Sequence, residues 1–457
     1  MPERILIHNA DYIYNLAGVS PNSPPQDILI EGNIIAAIGP KLDEKFGDVK
    51  THIDATNKLV FPGFINTHHH LFQAFMRHVP QMQNQRIDQW IAEATSRAKK
   101  MDPEAHYWAA LSNMAELVLS GATTTTDMLY LYPNQYDHQE LFEATIEAAK
   151  TIGVRFHPYR GSMSRRDGLF EKDVLEESEK IIEHTRDIVD KFHQKAGDAM
   201  VKVGIAPCTI FTNCAYDYEQ AAALAIRYDI NLQTHLGESK FETRYVLEKY
   251  GMTPYQLMES LGWKDSRVSL AHCIEINDED IDRLAQNHNS VSHCPTSNAR
   301  SPIGQTGVAP IAKMLQKGVN VSIGVDGSAG NDSSDMLFEM RAARTNQGIP
   351  EESTYLDPEQ IFYMATEGGA KALRWESNIG RVEQGYCADI TIFDIHDSIG
   401  HIGAWDKAGS LISCSSKRAE TVIINGEIIV SEGRLTKIEE RQLIKKATTK
   451  WKEAFGK

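Results

Sequence analysis

Three consecutive histidines end the segment PGFINTHHH at positions 62–70, which begins as an apolar run. Alternate side chains of a strand lie on the same face, so we expect His68 and His70 to point together and His69 to point the opposite way. Two imidazoles on one face at the end of a strand can hold a transition-metal ion between them. A run of histidines in a polar loop is the other interpretation that this segment alone leaves open.

Four more apolar runs end in residues of the same chemical kind. Any one of these residues is more often an ordinary polar side chain than a ligand. Together they supply three more histidines (His235, His272 and His293), a glutamate (Glu238) and an aspartate (Asp326), which predict a metal site if the fold brings the strand ends to one face. The motifs are THLGE at 234–238, LAHC at 270–273, SHCPTSN at 292–298 and GVDGSAGNDS at 324–333.

The apolar runs that end in these motifs alternate along the chain with longer stretches of helical spacing, such as 106–120 and 141–151. Eight strands separated by helices are the count of a (β/α)8 TIM-like barrel, in which the carboxyl ends of all strands converge on one face. A doubly wound open α/β sheet is the alternative. The predicted strands are 59–66, 121–127, 154–159, 201–208, 230–235, 268–272, 290–293 and 319–326.

Short β-rich segments occupy both ends of the chain. Near the start, two apolar runs meet at a Gly32-Asn33 turn, and near the other end two more meet at an Asn-Gly turn at 425–426, which is typical of hairpins. Neither terminal segment is long enough to form a stable hydrophobic core of its own. We therefore predict one small β-sandwich built from residues 1–58 and 378–457, around a catalytic barrel of residues 59–377.

Composition limits the classes of partner. The 457 residues carry 47 Lys and Arg against 62 Asp and Glu, a formal charge of −15, which argues against a nucleic-acid partner because such a partner needs a basic face. The six cysteines form no C-x-x-C pair, and no apolar run approaches the roughly 18 residues of a membrane helix. The start of the chain lacks the pattern of a signal peptide. We expect a reduced, cytoplasmic protein with no membrane partner.

In the five motifs above, the chain resembles the amidohydrolase superfamily, and within it the metal-dependent aminohydrolase (deaminase) branch. The resemblance extends over essentially the whole chain, including the segment GYCADITIFD at 385–394. It implies a proton-transferring role for Glu238 and a catalytic role for His272. It also implies a small-molecule substrate and, because barrels of this type usually pair, a homodimer or larger oligomer. The implied metal ligands are His68, His70, His235 and Asp326.

The predicted centre holds one divalent ion. Two-metal members of the superfamily bridge their ions with a modified lysine at the end of strand 4, whereas Lys202 lies at the start of that strand here. Three histidines and an aspartate suit Zn²⁺, with Fe²⁺ as the alternative. Such an ion activates a water at ordinary pH. Asp326 would take the proton of that water, Glu238 would protonate a ring nitrogen of the substrate, and His272 would stabilise the developing oxygen. Glu238 could instead serve only to orient His235.

Three further segments look most like bacterial 8-oxoguanine deaminases, although s-triazine (hydroxyatrazine-like) hydrolases and pterin deaminases share much of their pattern. The implied reaction is hydrolytic deamination of an amino-substituted nitrogen heterocycle, with 8-oxoguanine or a related purine preferred. The three segments are HLFQ at 70–73, RFHPYRGSMS at 155–164 and YGMTPYQLMESLGW at 250–263.

Few residues are candidates for direct contact with the substrate. Gln73 has an amide that can donate and accept hydrogen bonds at a ring edge, and His293 would contact substrate or support the site. Phe72, Phe75 and Trp90 would form a stacking wall or belong to the core.

Three rival classes fit the sequence less well. Zinc deaminases that flip bases out of nucleic acid carry a P-C-x-x-C element, which is absent here. A cyclic-amide hydrolase of the dihydropyrimidinase type would need the lysine at the end of strand 4. A non-enzymatic scaffold on an inherited barrel would typically have lost ligands, and none is missing here.

Overall fold

The structure is a computed structural model that describes residues 3–16, 24–46, 49–83, 85–165, 170, 172–300, 307–348, 355–396, 398–414 and 417–456. For Asp88 and Arg300 it describes the backbone.

Eight parallel strands, each hydrogen-bonded to the next in sequence order, form a barrel. The ring closes where the Thr67 N–H donates to the Ile323 carbonyl (3.0 Å) and the Asp326 N–H donates to the His68 carbonyl (3.0 Å). This confirms the (β/α)8 prediction over the open sheet. Barrel strands 1 to 8 are, in order, Phe64–Asn66, Ala122–Leu129, Arg155–Ser162, Gly204–Pro207, Leu232–Leu236, Val268–His272, Ser290–His293 and Asn320–Ile323.

Every residue of these eight strands is buried. Helices cover the outer face of the barrel and packed side chains fill its interior, so the strands need no polar face. Burial does not make every strand apolar, since Ala122–Leu129 contains four threonines and an aspartate.

Two antiparallel-rich sheets from the chain ends pack on each other. Ile5 and Ile28 of the first sheet share an apolar core with Val60, Ile390 and Ile423 of the second. The first sheet has the order Ile34–Gly39, Gln26–Glu31, Arg4–Ala10 and Thr51–Asp54. The second has the order Arg434–Leu435, Glu427–Ser431, Thr421–Ile424, Ile390–Phe393, Leu59–Pro62 and Tyr12–Ile13.

Residues Leu59–Pro62, predicted as the beginning of the first barrel strand, belong to the second of these sheets and pair antiparallel with Ile390–Phe393. That part of the strand prediction is wrong. The apolar run crosses from one sheet to the other at Gly63, where a Cβ atom would lie 2.0 Å from the Thr123 side chain. Since both sheets bury the run completely, hydrophobicity does not mark the crossing.

Helices follow the barrel strands and begin at polar caps. Asp102 accepts from the Ala105 N–H (2.8 Å) and Ser239 from the Glu242 N–H (3.2 Å), which satisfies donors that a helix start leaves free. The α-helices are Leu42–Lys45, Ile87–Ala98, Pro103–Leu119, His138–Ile152, Ser178–Phe192, Ala215–Tyr228, Lys240–Tyr250, Pro254–Ser260, Asp278–Gln286, Pro295–Arg300, Ile311–Gln316, Met336–Asn346, Pro358–Ala365, Glu367–Ala372, Lys407–Ser413 and Glu440–Phe455. Short 3₁₀ helices are Leu71–Met76, Pro80–Met82, Lys172–Val174 and Ile399–His401.

One buried and one partly exposed ion pair hold the terminal parts against the barrel. Arg155 of barrel strand 3 forms a two-pronged ion pair with Asp389 (2.8 and 3.0 Å). Lys450 of the last helix pairs with Asp102 (2.8 Å). All six cysteines are free thiols. Among the described residues, none of the helices combines the length and the apolar character that crossing a bilayer would require.

Candidate metal centre

Four ligand-type side chains meet at the carboxyl ends of barrel strands 1, 5 and 8. His70 Nε2 lies 3.1 Å from His235 Nε2 and 3.4 Å from Asp326 Oδ1. His68 Nε2 lies 3.6 Å from the same Asp326 oxygen. A tetrahedral zinc ion with bonds of about 2.0–2.1 Å sets neighbouring ligand atoms about 3.3 Å apart. The observed separations therefore match the edges of one coordination sphere.

The outer nitrogen of each of the three imidazoles is hydrogen-bonded to a carbonyl-type oxygen, which can only accept. His68 Nδ1 lies 2.9 Å from Gln233 Oε1, His70 Nδ1 lies 2.9 Å from the Met128 carbonyl, and His235 Nδ1 lies 2.7 Å from the Cys208 carbonyl. Each Nδ1 therefore carries the proton, and each Nε2 directs a lone pair inward. His69 is turned the opposite way, with its Nε2 3.0 Å from Ser334 Oγ.

The donor set fits a cation. Burial lowers the pKa of His70 to about 4 and that of His68 well below its usual value, so both rings are neutral at pH 7. His68 Nε2 is buried without a hydrogen-bond partner among the described residues. Two facing lone pairs of His70 and His235 cannot hydrogen-bond to each other. Three neutral nitrogens and one carboxylate are ligands suited to zinc or ferrous iron, which would occupy the shared point.

Strained backbone at this point supports a functional role. Asp326 (φ 62°) and His272 (φ 75°) both lie in the left-handed region, which non-glycine residues rarely adopt. Ser297 Oγ and the Gly327 N–H donate to the two Asp326 oxygens at 2.5 and 2.6 Å. These bonds orient the carboxylate toward the imidazoles.

His272 lies beside these four side chains, and one ligand atom from each of His272, His68 and His235 lies within 4.8 Å of the others. The Nε2 of His272 is 4.0 Å from Asp326 Oδ2, its ring stacks on the His235 ring with 5.4 Å between centroids, and its Nδ1 lies 2.8 Å from Asn298 Oδ1. This position lets the ring face a group held beside the metal point.

A cavity of about 150 Å³ opens on the cluster. The cavity is lined by four of the predicted site residues, Gln73, Glu238, His272 and Asp326. His70 and His235 of the cluster also line it, and Trp90 lies in its wall. The backbone N–H of Glu238 donates to Glu242 Oε2 (3.1 Å), which fixes the turn that carries Glu238.

Gln73 is buried, and its Nε2 has no hydrogen-bond partner among the described residues. Its Oε1 accepts from the Ala329 N–H (3.3 Å). A Cβ atom at position 327 would lie 2.0 Å from that oxygen, so Gly327 leaves the space that the amide occupies. The side-chain amide of Gln73 can therefore donate a hydrogen bond at the cavity wall.

The other predicted contacts lie elsewhere. His293 is buried behind the cluster, is not among the residues that line the cavity, and burial lowers its pKa to about 3. Phe72 and Phe75 belong to the apolar core rather than to the cavity wall.

Three residues that orient the predicted ligands and His272 were not themselves predicted as site residues. They are Gln233, Ser297 and Asn298. Gln233 precedes His235 by two positions on one strand and so shares its face, a period-two signal that could have identified it. The orienting carbonyls of Met128 and Cys208 carry no signal in the sequence, because any residue supplies a carbonyl.

Lys202 precedes barrel strand 4 and lines a separate cavity with His157 and Arg374, at the amino ends of the strands. The metal cluster lies at the carboxyl ends. A lysine bridge between two ions is therefore not available from this residue.

A second group of ligand-type side chains lies after barrel strands 2 and 3. His138 Nδ1 is 3.2 Å from Glu176 Oε1 and 3.3 Å from His184 Nδ1. Both oxygens of Glu176 are already bonded to the buried Arg160 guanidinium. A divalent ion there would meet a buried positive charge, so the first cluster is the better metal site.

A (β/α)8 barrel with imidazoles and a carboxylate enclosed at the carboxyl ends of its strands defines the class of metal-dependent barrel hydrolases. Residues 59–429 match the model of the amidohydrolase family. An 8-oxoguanine deaminase of Pseudomonas aeruginosa is 30% identical over 91% of this chain and 92% of its own length. A 5′-deoxyadenosine deaminase of Methanothermobacter thermautotrophicus is 32% identical over 99% of both chains.

Among solved structures, an atrazine chlorohydrolase of Arthrobacter aurescens TC1 complexed with zinc superposes with a TM-score of 0.90. The match covers 98% of this chain and 100% of that chain at 29% identity. The chain belongs to the amidohydrolase family. It is a hydrolase that acts on carbon–nitrogen bonds other than peptide bonds, in cyclic amidines.

Proposed function

We propose that the protein is a mononuclear zinc-dependent deaminase of a small nitrogen heterocycle, with 8-oxoguanine preferred. One observation carries the proposal: Gln73, Glu238, His272 and Asp326 line a single cavity that opens on the cluster of neutral imidazoles. The 8-oxoguanine deaminase among the relatives supports the choice of substrate.

The residues have separate tasks in this proposal. An ion held by the four ligands would supply the electrostatic activation of a water. Asp326 accepts a proton from the attacking water, and Glu238 delivers a proton to the ring nitrogen next to the amino-bearing carbon. His272 stabilises the oxygen that gains negative charge as the carbon becomes tetrahedral. Asp326 passes the proton it took from water to the amino group, the carbon–nitrogen bond breaks and ammonia leaves. The added hydroxyl becomes a carbonyl as its proton returns to Glu238. The ligands are His68, His70, His235 and Asp326.

The size of the cavity favours one flat ring system. A dry cavity of about 150 Å³ accepts a ring such as benzene, and the volume here is similar. The amino-bearing ring of a purine base or a triazine therefore fits. Ile87, Ile91, Trp90 and Tyr130 provide largely apolar walls, and Gln73 provides a donor for the ring edge.

Protein purified without chelator is expected to contain close to one equivalent of zinc or iron per chain, because one point is shared by the four ligands. Elemental analysis of the purified chain measures this. His70→Ala is expected to lower the metal content strongly, and His184→Ala, in the second group, is expected to leave it unchanged. Two tightly bound equivalents, or activity in metal-free protein, would contradict the mononuclear proposal.

The substrate is tested by measuring kcat/KM side by side for 8-oxoguanine, guanine, isoxanthopterin, an aminotriazine and 5′-deoxyadenosine. We expect 8-oxoguanine to exceed each of the others by about tenfold or more, since a buried amide rejects rings that leave it unpaired. The triazine hydrolase structures make an s-triazine the second candidate. If the triazine is preferred by an order of magnitude, the purine assignment is wrong and the hydrolase chemistry remains.

A further inference from the structure

A cavity of about 320 Å³ lies at the amino ends of barrel strands 3, 4 and 5, on the face opposite the metal centre. Lys195, Lys202 and Arg374 line it, against one carboxylate, that of Asp229. The chain as a whole carries a formal charge of −15, so a cationic cavity is a local departure from its charge balance.

The single carboxylate is already paired. Arg374 Nη2 lies 2.9 Å from Asp229 Oδ1. Among the described residues, no carboxylate lies within ion-pair distance of Lys195 or Lys202. The ammonium group of Lys202 sits 4.4 Å from the centre of the Trp375 ring, which attracts the charge without neutralising it. Two cations at this cavity therefore lack a counterion.

Lys202 is half-buried, so its charge is expensive to leave unpaired. Burial and then the nearby Arg155 and Arg374 lower the pKa of Lys202 to about 8. An anion in the cavity would remove this cost.

Two histidines also line the cavity. The Val203 N–H donates to His193 Nδ1 (3.1 Å), so the proton of His193 is on Nε2, where it can be donated. His157 lines the cavity with 2% of its surface exposed, while its Nδ1 is enclosed by protein. The donors come from different elements and so surround the cavity from several sides.

We propose that this cavity binds a tetrahedral oxyanion of the phosphate class, held by Lys202, Lys195 and Arg374 with His157 and His193. A tetrahedral anion presents oxygens in several directions, which suits donors placed around a cavity better than a planar carboxylate does. The site is separate from the catalytic cavity and does not depend on the proposed function. The volume leaves room for a substituent, so the bound group is either inorganic phosphate or a phosphate monoester.

The test uses the full-length, metal-loaded protein at constant ionic strength set with chloride. Equilibrium dialysis with radiolabelled phosphate, and with ribose 5-phosphate, measures stoichiometry and Kd, and Tm is recorded in the same series. We expect saturable binding of one anion per chain with a parallel, saturating rise in Tm. Tighter binding of the ester than of phosphate would identify the natural ligand as an ester.

Lys202→Met is expected to weaken binding about tenfold or more, the loss typical of a hydrogen bond to a charged group. Lys371→Met removes the same charge from an exposed position outside the cavity and is expected to bind like wild type. Lys195→Met gives the same test if Lys202→Met does not fold. The proposal fails if no anion binds, if Tm rises without saturation, or if the cavity variants bind like wild type, as they would for an anion at the catalytic metal.

Discussion

Replacing Glu238 by glutamine is expected to lower kcat by about 10²–10⁴-fold, the range typical of a lost general acid–base group. Glutamine keeps the shape of the side chain and cannot deliver a proton. Glu238 lies outside the closest ligand set and lines the cavity beside it, so the variant should keep its metal. The measurement is steady-state kinetics on the best substrate of the panel, with metal analysis of the same preparation.

Glu248→Gln is the matched control for this variant. Glu248 is exposed on the helix Lys240–Tyr250, which follows the same strand, and its change should leave kcat within a factor of about two. If Glu238→Gln retains a rate within a few-fold of wild type, the proton is carried by another group. In that case Glu238 only orients its neighbours.

Asp326→Asn is expected to reduce both metal affinity and turnover. The change removes the one negative charge among the four ligands and the group that accepts the proton of water. Loss of a partner that merely orients a ligand typically costs about 10–100-fold in metal affinity, so loss of this ligand should cost at least that. Competition with a chelator of known affinity measures the first effect, and kcat at saturating zinc measures the second.

Asp332→Asn tests whether the loop itself tolerates an asparagine. Asp332 lies six positions further along the same loop, also in the left-handed region (φ 68°), where asparagine is well accepted. This variant should keep its metal and most of its activity. An Asp326→Asn protein that is fully active at saturating zinc would show that another base takes the proton.

The barrel and its metal cluster could be predicted because the candidate ligands lie at or just beyond the carboxyl ends of buried parallel strands. Burial on both faces removes the apolar–polar alternation of a half-exposed strand, and the carboxyl ends of all eight converge. The sequence alone therefore predicts that five side chains lie close together, those of His68, His70, His235, His272 and Asp326. The Gly32-Asn33 and Asn425-Gly426 turns located both terminal hairpins for a similar local reason, as these residues accept the positive φ of tight turns.

Other features depend on relations that a sequence does not contain. The crossing at Gly63 separates two sheets that are equally buried, so the run through Leu59–Pro62 gave no sign of it. The rings of His70 and His235 are fixed by backbone carbonyls, and a residue of any type could supply such a carbonyl. Whether an aromatic ring faces the cavity, as Trp90 does, or the core, as Phe72 does, is decided by packing between distant segments.

The pairing of Leu59–Pro62 with Ile390–Phe393 has a consequence for how the protein is made. Phe61 emerges from the ribosome about 330 residues before its partner Thr391. At the usual rate of about 5–20 residues per second, the first strand waits roughly 15–65 s with an unpaired apolar edge. Exposed edges of this kind are prone to pair with other chains. Chaperones that shield nascent chains should therefore improve the yield of folded protein.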